Sequence, residues 1–444
     1  MVGHGQRRAE DGGPRILVCC AAGYTNVGDD AILEGLVGLI RRRVPDAHIA
    51  VACGPYGRMA ERLGCEAVAL ECTPELVAAI AASDLVVYGG GGLFYDCGYV
   101  PSPDMIAEPR PPWLFFGLKL ALYCRTVGVP MYICGVGVGP INTEVGSRAL
   151  SMVAELASGW SVRDAMSAEL LRSHTGVENA IQSYCPALCL SLADGEPNRR
   201  PDRPYVAVSL GVCGGAVSVF ARLADAVIGE TGLRVIFVAQ QVYVDNGIRW
   251  AGAVRREMKG RASTEVMVAR TPQEAMRVLA GAEVVFANRL HAAMLATNVG
   301  TPWVGFSTHD KTIGFAQHLK WPFAYRSTPE SLDRALGDGL RLLADRETYS
   351  RMLRRLRTEL IGSLPGPEEV IPLDKELRPG DSRAQRSHRD HEMQELIRRC
   401  EALAGRKGLL FSVARRIVPS CCRRLVHLLV RILTRGLAKW NCVL

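Results

Sequence analysis

Residues 15–20 read Arg-Ile-Leu-Val-Cys-Cys, and a loop rich in Gly, Asn and Asp follows at residues 23–30. The apolar run is typical of a buried strand, and Ile32, Leu36 and Ile40 then share one face of a predicted helix. The same alternation continues through the first half of the chain, with further predicted strands at residues 49–53, 84–88 and 130–134. Strands that alternate with helices predict right-handed crossovers and a parallel sheet.

A second series of the same kind begins after a polar stretch at residues 194–204. A chain of 444 residues is too long for one typical core. We therefore predict an α/β fold with two Rossmann-like domains, residues 14–195 and 203–362, that face each other across a cleft. The predicted strands of the second domain lie at residues 205–209, 234–238, 283–287 and 302–306.

The rest of the chain has a different composition. Residues 363–390 are rich in proline and charged residues and are predicted as a flexible connector. Residues 391–444 are predicted as a basic, amphipathic helical tail with no apolar run of the roughly 18 residues that span a bilayer. Two interpretations stay open: the helix lies on a membrane surface, or it docks onto the protein or a partner. One face carries Leu425, Leu428, Leu429 and Ile432, and the other carries Arg424, Arg431 and Arg435.

The net charge of +8 lies in the tail. From Arg406 onward there are nine Lys or Arg and no Asp or Glu, so the remainder has 53 − 9 = 44 basic against 45 acidic residues, or −1. A nearly neutral body argues against a nucleic-acid-binding face on the main domains.

The cysteines and the N-terminal residues indicate the cellular compartment of the protein. The 15 cysteines are scattered without a Cys-x-x-Cys pair, and several lie in apolar runs, so we expect reduced, buried thiols. Residues 1–14 are polar and Gly-rich, which predicts no signal peptide. We expect a cytoplasmic protein, either free or peripheral at the inner face of the cell membrane through its tail.

The loop at residues 23–30 joins the first predicted strand to the first helix. Its glycines allow backbone amides to approach a ligand at the positive end of a helix. Asn26, Gly28 and Asp29 are therefore candidate substrate contacts. A plain turn with Asp29 as the helix N-cap fits the pattern equally well. The glycine spacing is not that of a dinucleotide-binding loop.

Two more glycine-rich segments follow predicted strands. Gly89 to Gly92 comes after the strand that ends at Tyr88, and residues 135–140 repeat the theme. Consecutive glycines are entropically costly and are tolerated where the backbone must bend sharply or lie against a ligand. The carboxyl ends of parallel strands are also where such sheets bind ligands. We expect Gly90 and Gly91 to line the cleft.

Three cations and a histidine also follow predicted strands. Arg163 stands between a strand and a helix, Arg289 and His291 follow the strand at residues 283–287, and Lys311 follows the next one. Isolated Arg and His are usually surface or structural residues, but this position favours binding of a carboxylate or phosphate and proton transfer by His291. No set of residues has the spacing of a metal site, a P-loop or a serine nucleophile elbow.

Taken in order, these segments resemble the polysaccharide pyruvyl transferase family. The resemblance runs from about Ile16 to Phe315. It implies a fold similar to the two-domain glycosyltransferase-B architecture. It also implies transfer of a pyruvyl group from phosphoenolpyruvate to a saccharide, usually as a cyclic ketal, with release of phosphate. The segments are residues 26–33 (NVGDDAIL), the glycines after Tyr88, residues 161–164 (SVRD), residues 289–291 (RLH), residues 300–302 (GTP) and residues 311–315 (KTIGF).

The resemblance implies roles as well. His291 would be the general acid/base, Arg163 and Arg289 would hold the carboxylate and phosphate of the donor, and Lys311 would add a further cation. We expect no metal and no cofactor besides the donor substrate, because fixed cations and a proton-transfer group meet the needs of this chemistry. The acceptor is a saccharide, and a membrane-bound tail would suit a lipid-linked one. Two alternatives remain, a nucleotide-sugar-dependent glycosyltransferase and a non-catalytic saccharide-binding protein.

Overall fold

The computed structural model describes residues 13–55, 58–108, 111–192, 203–211, 214–242, 246–308 and 310–372. The predicted tail at residues 391–444 and the predicted connector from residue 373 onward lie outside the described residues. Within the described part, the chain folds into two parallel sheets, each flanked by helices. No helix of this part is both long and apolar enough to cross a bilayer.

The first sheet has seven parallel strands in the order β3-β2-β1-β4-β5-β6-β7. These strands are β1 (Arg15–Cys19), β2 (His48–Cys53), β3 (Glu66–Ala69), β4 (Leu85–Phe94), β5 (Met131–Val138), β6 (Gly159–Val162) and β7 (Ile181–Gln182). Its helices are α1 (Val27–Arg43), α2 (Met59–Arg62), α3 (Pro74–Ala82), α4 (Trp113–Val127), α5 (Glu144–Leu156) and α6 (Ala165–Thr175).

The second sheet repeats this arrangement with six parallel strands in the order β10-β9-β8-β11-β12-β13. They are β8 (Tyr205–Ser209), β9 (Arg234–Ala239), β10 (Thr264–Val268), β11 (Val285–Ala287), β12 (Trp303–Ser307) and β13 (Ala324–Arg326). The helices are α7 (Val217–Thr231), α8 (Gly247–Glu257), α9 (Pro272–Gly281), α10 (Leu290–Val299), α11 (Asp310–Leu319), α12 (Leu332–Ala344) and α13 (Arg346–Ser363).

In each sheet, the direction in which successive strands are added reverses near the centre. The strand order reverses between β1 and β4 in the first sheet and between β8 and β11 in the second. Parallel α/β sheets bind ligands beyond the carboxyl ends of the strands at such a reversal. The helix after β1 is α1 and the helix after β11 is α10, so both predicted motifs, at residues 26–33 and 289–291, lie at these two points.

Alternation along the strands explains why both faces of the first sheet are covered. Ile16 and Val18 belong to one apolar cluster, whereas Leu17 and Cys19 belong to another on the opposite face. All four side chains have no exposed surface, as expected for a parallel sheet with helices on both sides. The first of these clusters continues into the second sheet, where it includes residues such as Val206, so the two sheets share a continuous apolar contact.

The structure changes the predicted place of the glycine segments. Gly89 to Gly92 lie inside β4, and Gly135 and Gly137 lie inside β5, where Gly91 pairs with Val136 and Gly92 with Gly137. Gly90 and Gly91 have φ angles of 76° and 84°, which residues with a Cβ rarely adopt. Because glycine accepts these angles, the strand continues past the point where the sequence predicts its end.

The predicted connector does not begin at residue 363. After α13, residues 364–372 return to the first sheet and pack against it. The hydroxyl of Ser183 donates to the carbonyl oxygen of Pro365 and that of Ser161 to Pro367, both at 2.6 Å. Ile371 is fully buried. This segment is therefore part of the folded body.

The described cysteines form no disulfide with one another. Burial raises the pKa of thiols such as Cys124 and Cys185 well above the usual range, so they stay protonated. Cys97 is the exposed one among the described cysteines.

Candidate active site

The first turn of α1 is capped by Asn26. Its Oδ1 accepts a hydrogen bond from the amide of Gly28 at 3.1 Å, and its Nδ2 donates to Oδ2 of Asp29 at 2.7 Å. Asn26 therefore occupies the N-cap position, and the interpretation of Asp29 as the N-cap is wrong. The carboxyl group of Asp29 remains on the first turn, at the positive end of the helix dipole.

The same turn is attached to the second sheet. The amide of Val27 donates to the carbonyl oxygen of Gln240 at 3.0 Å, and Asn26 forms an isolated antiparallel bridge with Gln241. The side chain of Gln241 then accepts a hydrogen bond from Nη2 of Arg289 at 3.0 Å. Gln241 thus connects the start of α1 with Arg289. Nothing in the sequence singled out this residue, because the contact joins segments more than 200 positions apart.

His291 lies directly on Gly28. A Cβ built on Gly28 would stand 2.0 Å from Nδ1 of His291, so only glycine allows the ring to approach α1 this closely. His291 lies in the first turn of α10. Arg289 is the N-cap of that helix, two positions earlier. Its Nε2 is buried and has no hydrogen-bond partner among the described residues. Gly28 therefore makes room for the imidazole.

Arg163 and Lys311 lie over the two paired glycines of β4 and β5. A Cβ on Gly137 would stand 2.6 Å from Cζ of Arg163, and one on Gly92 would stand 3.1 Å from Nζ of Lys311. Because Gly92 and Gly137 are partners in the sheet, the two cations occupy neighbouring positions. Gly92 and Gly137 belong to the two glycine-rich segments identified in the sequence. The glycines predicted to line the cleft, however, were Gly90 and Gly91.

Gly90 and Gly91 have other neighbours. A Cβ on Gly90 would stand 1.7 Å from Cγ2 of Ile32, so this glycine allows α1 to pack against β4. A Cβ on Gly91 would stand 3.7 Å from Oδ1 of Asp29. Gly91 therefore lies beside the carboxyl group of Asp29, whereas Gly90 serves the packing of the helix.

Each cation is also held from the side. Nε of Arg163, a residue that is 8% exposed, donates to Oδ2 of Asp164 at 3.2 Å. Nε of Arg289 donates to the carbonyl oxygen of Leu210 at 3.2 Å. Nζ of Lys311 lies 5.6 Å from the centre of the Tyr95 ring. These contacts orient the side chains towards one region without neutralising all of their charge.

Burial and the surrounding cations together keep His291 neutral. Burial lowers the pKa of His291 to about 3, and the charges of Arg163, Arg289 and Lys311 act in the same direction. The ring is therefore neutral near pH 7 and can accept a proton. Desolvation and the charge of Arg163 also lower the pKa of Lys311.

Asp29 behaves in the opposite way. Burial, followed by the charge of Asp30, raises the pKa of Asp29 to about 7, against the opposing effects of Asn26, Arg289 and Lys311. Asp30 itself has a pKa raised to about 6 by burial, and its Oδ1 accepts a hydrogen bond from the amide of Gly23 at 2.8 Å. Near pH 7, about half of the Asp29 carboxyl groups are therefore protonated, whereas His291 is neutral.

The arrangement can bind an anion and move a proton. Three cations from both halves of the chain act on His291 together, where fixed positive charge stabilises negative charge on a ligand. Across the described ranges, no group of three or more His, Cys, Asp or Glu has the geometry to hold a metal ion.

Solved structures with this fold include several enzymes of sugar nucleotides. S. aureus MnaA, solved with UDP, is 10% identical over 77% of this chain and 91% of that chain, with a TM-score of 0.53. Anabaena HepE in complex with UDP-glucose is 12% identical over 82% of this chain and 98% of that one, with a TM-score of 0.52. The UDP-GlcNAc 2-epimerase from Neisseria meningitidis is 10% identical over 79% and 99%, with a TM-score of 0.50.

This likeness confirms the predicted two-sheet fold of the glycosyltransferase-B type. At such low identity it is evidence for the fold alone. None of the curated proteins matches the sequence significantly. The family model of the polysaccharide pyruvyl transferases matches residues 26–310, more than half of the chain, and includes the first turn of α1, Arg163, Arg289 and His291. The chain therefore belongs to the polysaccharide pyruvyl transferase family.

Proposed function

We propose that this enzyme transfers the pyruvyl group of phosphoenolpyruvate to two hydroxyls of a saccharide, forming a ketal and releasing phosphate. The observation that carries the proposal is the convergence of Arg163, Arg289 and Lys311 on His291. Phosphoenolpyruvate has two anionic groups, a phosphate and a carboxylate. Separate, fixed cations suit such a donor better than a single positive charge.

In this proposal, each cation has a task. Arg289, aligned by Gln241 and the carbonyl oxygen of Leu210, binds one anionic group of the donor. Arg163, over Gly137, binds the other, and Lys311 adds charge where the phosphate departs. Guanidinium groups are suited to this role because they bind carboxylate and phosphate with two parallel hydrogen bonds. A donor anion would also offset the positive charge around His291 and raise the pKa of that residue.

His291 is the proposed general acid/base. Its Nε2 is buried without a partner among the described residues, as expected for an atom that accepts a proton from a substrate hydroxyl. In its neutral form the ring takes a proton from the attacking hydroxyl. The resulting imidazolium is then stabilised by the donor phosphate and can protonate it as it leaves.

The remaining partners belong to the proposal as well. The acceptor is a saccharide, free or lipid-linked, in polysaccharide or cell-envelope glycan synthesis. Asn26, Asp29 and Gly91, at the start of α1 and in β4, contact the substrates. A cytoplasmic location at the inner face of the membrane, mediated by residues 391–444, would bring the enzyme to a lipid-linked acceptor.

Thermal unfolding in the presence of phosphoenolpyruvate tests the donor. A ligand that binds the native state raises the melting temperature, and a concentration of 100 times the Kd stabilises by about 2.7 kcal/mol. We expect a shift with wild type that is lost in Arg289→Ala and kept in Arg256→Ala, an exposed arginine on α8. A shift with UDP and none with phosphoenolpyruvate would instead support a nucleotide-sugar glycosyltransferase. No shift with either would support a saccharide-binding protein.

A further inference from the structure

Ketal formation requires two proton transfers in each half of the reaction. When a hydroxyl adds to the double bond of phosphoenolpyruvate, its oxygen bonds to C2, its proton leaves, and C3 receives a proton. When phosphate departs, its bridging oxygen gains a proton and the second hydroxyl loses one. A single imidazole cannot be the proton donor and the proton acceptor at the same moment. A second group is needed, in the opposite protonation state.

Asp29 is the candidate for this second group. It follows Gly28, the residue on which the His291 ring rests, in the first turn of α1. Its Oδ2 accepts a hydrogen bond from Nδ2 of Asn26 at 2.7 Å, and its Oδ1 would lie 3.7 Å from a Cβ on Gly91. We propose that Asp29 is the second proton-transfer residue of the reaction, paired with His291, an inference that rests on the proposed function.

The proposed cycle balances in protons and charge. In the first half, protonated Asp29 gives its proton to C3, and neutral His291 takes the proton of the attacking hydroxyl. A phosphorylated ketal intermediate results. In the second half, the C2–O bond to phosphate breaks, and His291 returns its proton to the phosphate. The second hydroxyl bonds to C2 and gives its proton to the Asp29 carboxylate. Both side chains finish in their starting states, and hydrogen phosphate leaves.

The surroundings of Asp29 support both of its forms. Burial and the charge of Asp30 favour the protonated form, which is the starting state of the cycle. Arg289 and Lys311, which come from the other sheet, favour the carboxylate that exists between the two halves. Other titratable groups that interact with Asp29 electrostatically are Cys20, Tyr95 and Cys185. Different neighbours therefore stabilise the protonated and the ionised form of Asp29. A residue that alternates between the two forms requires this.

Asp29→Asn tests the role because asparagine keeps the shape and can still accept a hydrogen bond from Asn26. The full chain is incubated with phosphoenolpyruvate and a panel of methyl hexopyranosides that have free neighbouring or 4,6-hydroxyls, and phosphate release is followed against pH. Donor binding is measured separately by calorimetry. Glu34→Gln, on the same helix but paired with Gln273, is the matched control. Asp29→Glu keeps a carboxyl group at this position. It keeps the test meaningful if the asparagine variant does not fold.

We expect Asp29→Asn to bind phosphoenolpyruvate within about twofold of wild type and to release phosphate at least about 100-fold more slowly. In wild type and in Asp29→Glu, the rate should fall as the pH rises and the carboxyl group loses its proton. The residual rate of Asp29→Asn should not show this decrease at high pH. Wild-type phosphate release by Asp29→Asn would overturn the inference, and so would a loss of donor binding, which would make Asp29 a binding residue. Absence of donor binding by wild type would overturn the proposed function itself.

Discussion

The imidazole of His291 rests on the backbone of Gly28, and a methyl group at Gly28 would stand 2.0 Å from its Nδ1. These residues lie on helices that flank different sheets and are separated by most of the chain. The contact brings the first turn of α1 against the first turn of α10, at the reversal point of each sheet. The glycine of the NVGDD segment and the histidine of the RLH segment therefore form one structural unit.

Gly28→Ala should displace the ring. Because the added methyl cannot share space with the imidazole, His291 must rotate or the two helices must separate. We expect phosphate release from phosphoenolpyruvate to fall by at least about 100-fold, the effect of losing a general acid/base. Gly38→Ala, on the same helix with only an ordinary contact to Arg42, is the control and should raise the melting temperature slightly without loss of activity. Equal activity of both variants would contradict this prediction.

The neutral state of the partly buried His291 should be visible in the pH dependence of stability. The pKa of His291 is about 3 in the folded state, against an ordinary value of 6.5, so the unfolded state binds more protons between these values. The contribution of His291 to stability should therefore fall as the pH is lowered from 6.5, by a factor of about ten in the folding equilibrium per pH unit inside the window. Asp29 and Asp30, whose pKa values are raised, act in the opposite direction.

Comparison with His291→Gln isolates the effect of the histidine. Denaturant unfolding of both proteins at several pH values inside that window gives the free energy of unfolding for each. The difference between the two should change with pH, because glutamine does not titrate. A difference that stays constant across the window would show that His291 is not held neutral by its surroundings.

The paired glycines under the cations should differ in their tolerance of a side chain. Alanine at Gly137 would place a methyl 2.6 Å from the buried guanidinium of Arg163, which is also held by Asp164. Alanine at Gly92 would meet only the end of the Lys311 side chain at 3.1 Å, and a lysine can move aside. We expect Gly137→Ala to weaken phosphoenolpyruvate binding by at least about tenfold, a cost of about 1.4 kcal/mol, and Gly92→Ala to weaken it less. Calorimetric titration ranks the two, and the reverse order would contradict this account.

Truncation should show where the folded body ends. A chain that ends after residue 372 keeps Ile371, which is fully buried, and the hydrogen bonds of Ser161 and Ser183 to the returning segment. A chain that ends after residue 363 loses all of them. Full burial of a large aliphatic side chain contributes about 1.5–3 kcal/mol, so the shorter protein should melt several degrees lower. Equal melting temperatures would show that residues 364–372 contribute little to the fold.

Local patterns determined much of this fold. Apolar runs such as residues 15–20, spaced by helical segments, are enough to predict two parallel sheets, because burial on both faces demands continuous apolar strands. The strand-end positions of Arg163, Arg289 and His291 were also predictable. By contrast, the extension of β4 through Gly89 to Gly92 was not, because consecutive glycines usually mark a turn and only pairing with β5 keeps them in a strand.

The sequence by itself predicted where candidate cations and a histidine lie, since such residues placed after buried strands stand at the sheet edge where ligands bind. Only the tertiary structure decided how they meet. Gly28 and His291, or Gln241 and Arg289, are too far apart in the chain for local periodicity to relate them. The pKa values of Asp29 and His291 likewise depend on burial and on charges from both sheets, which exist only once the chain has folded.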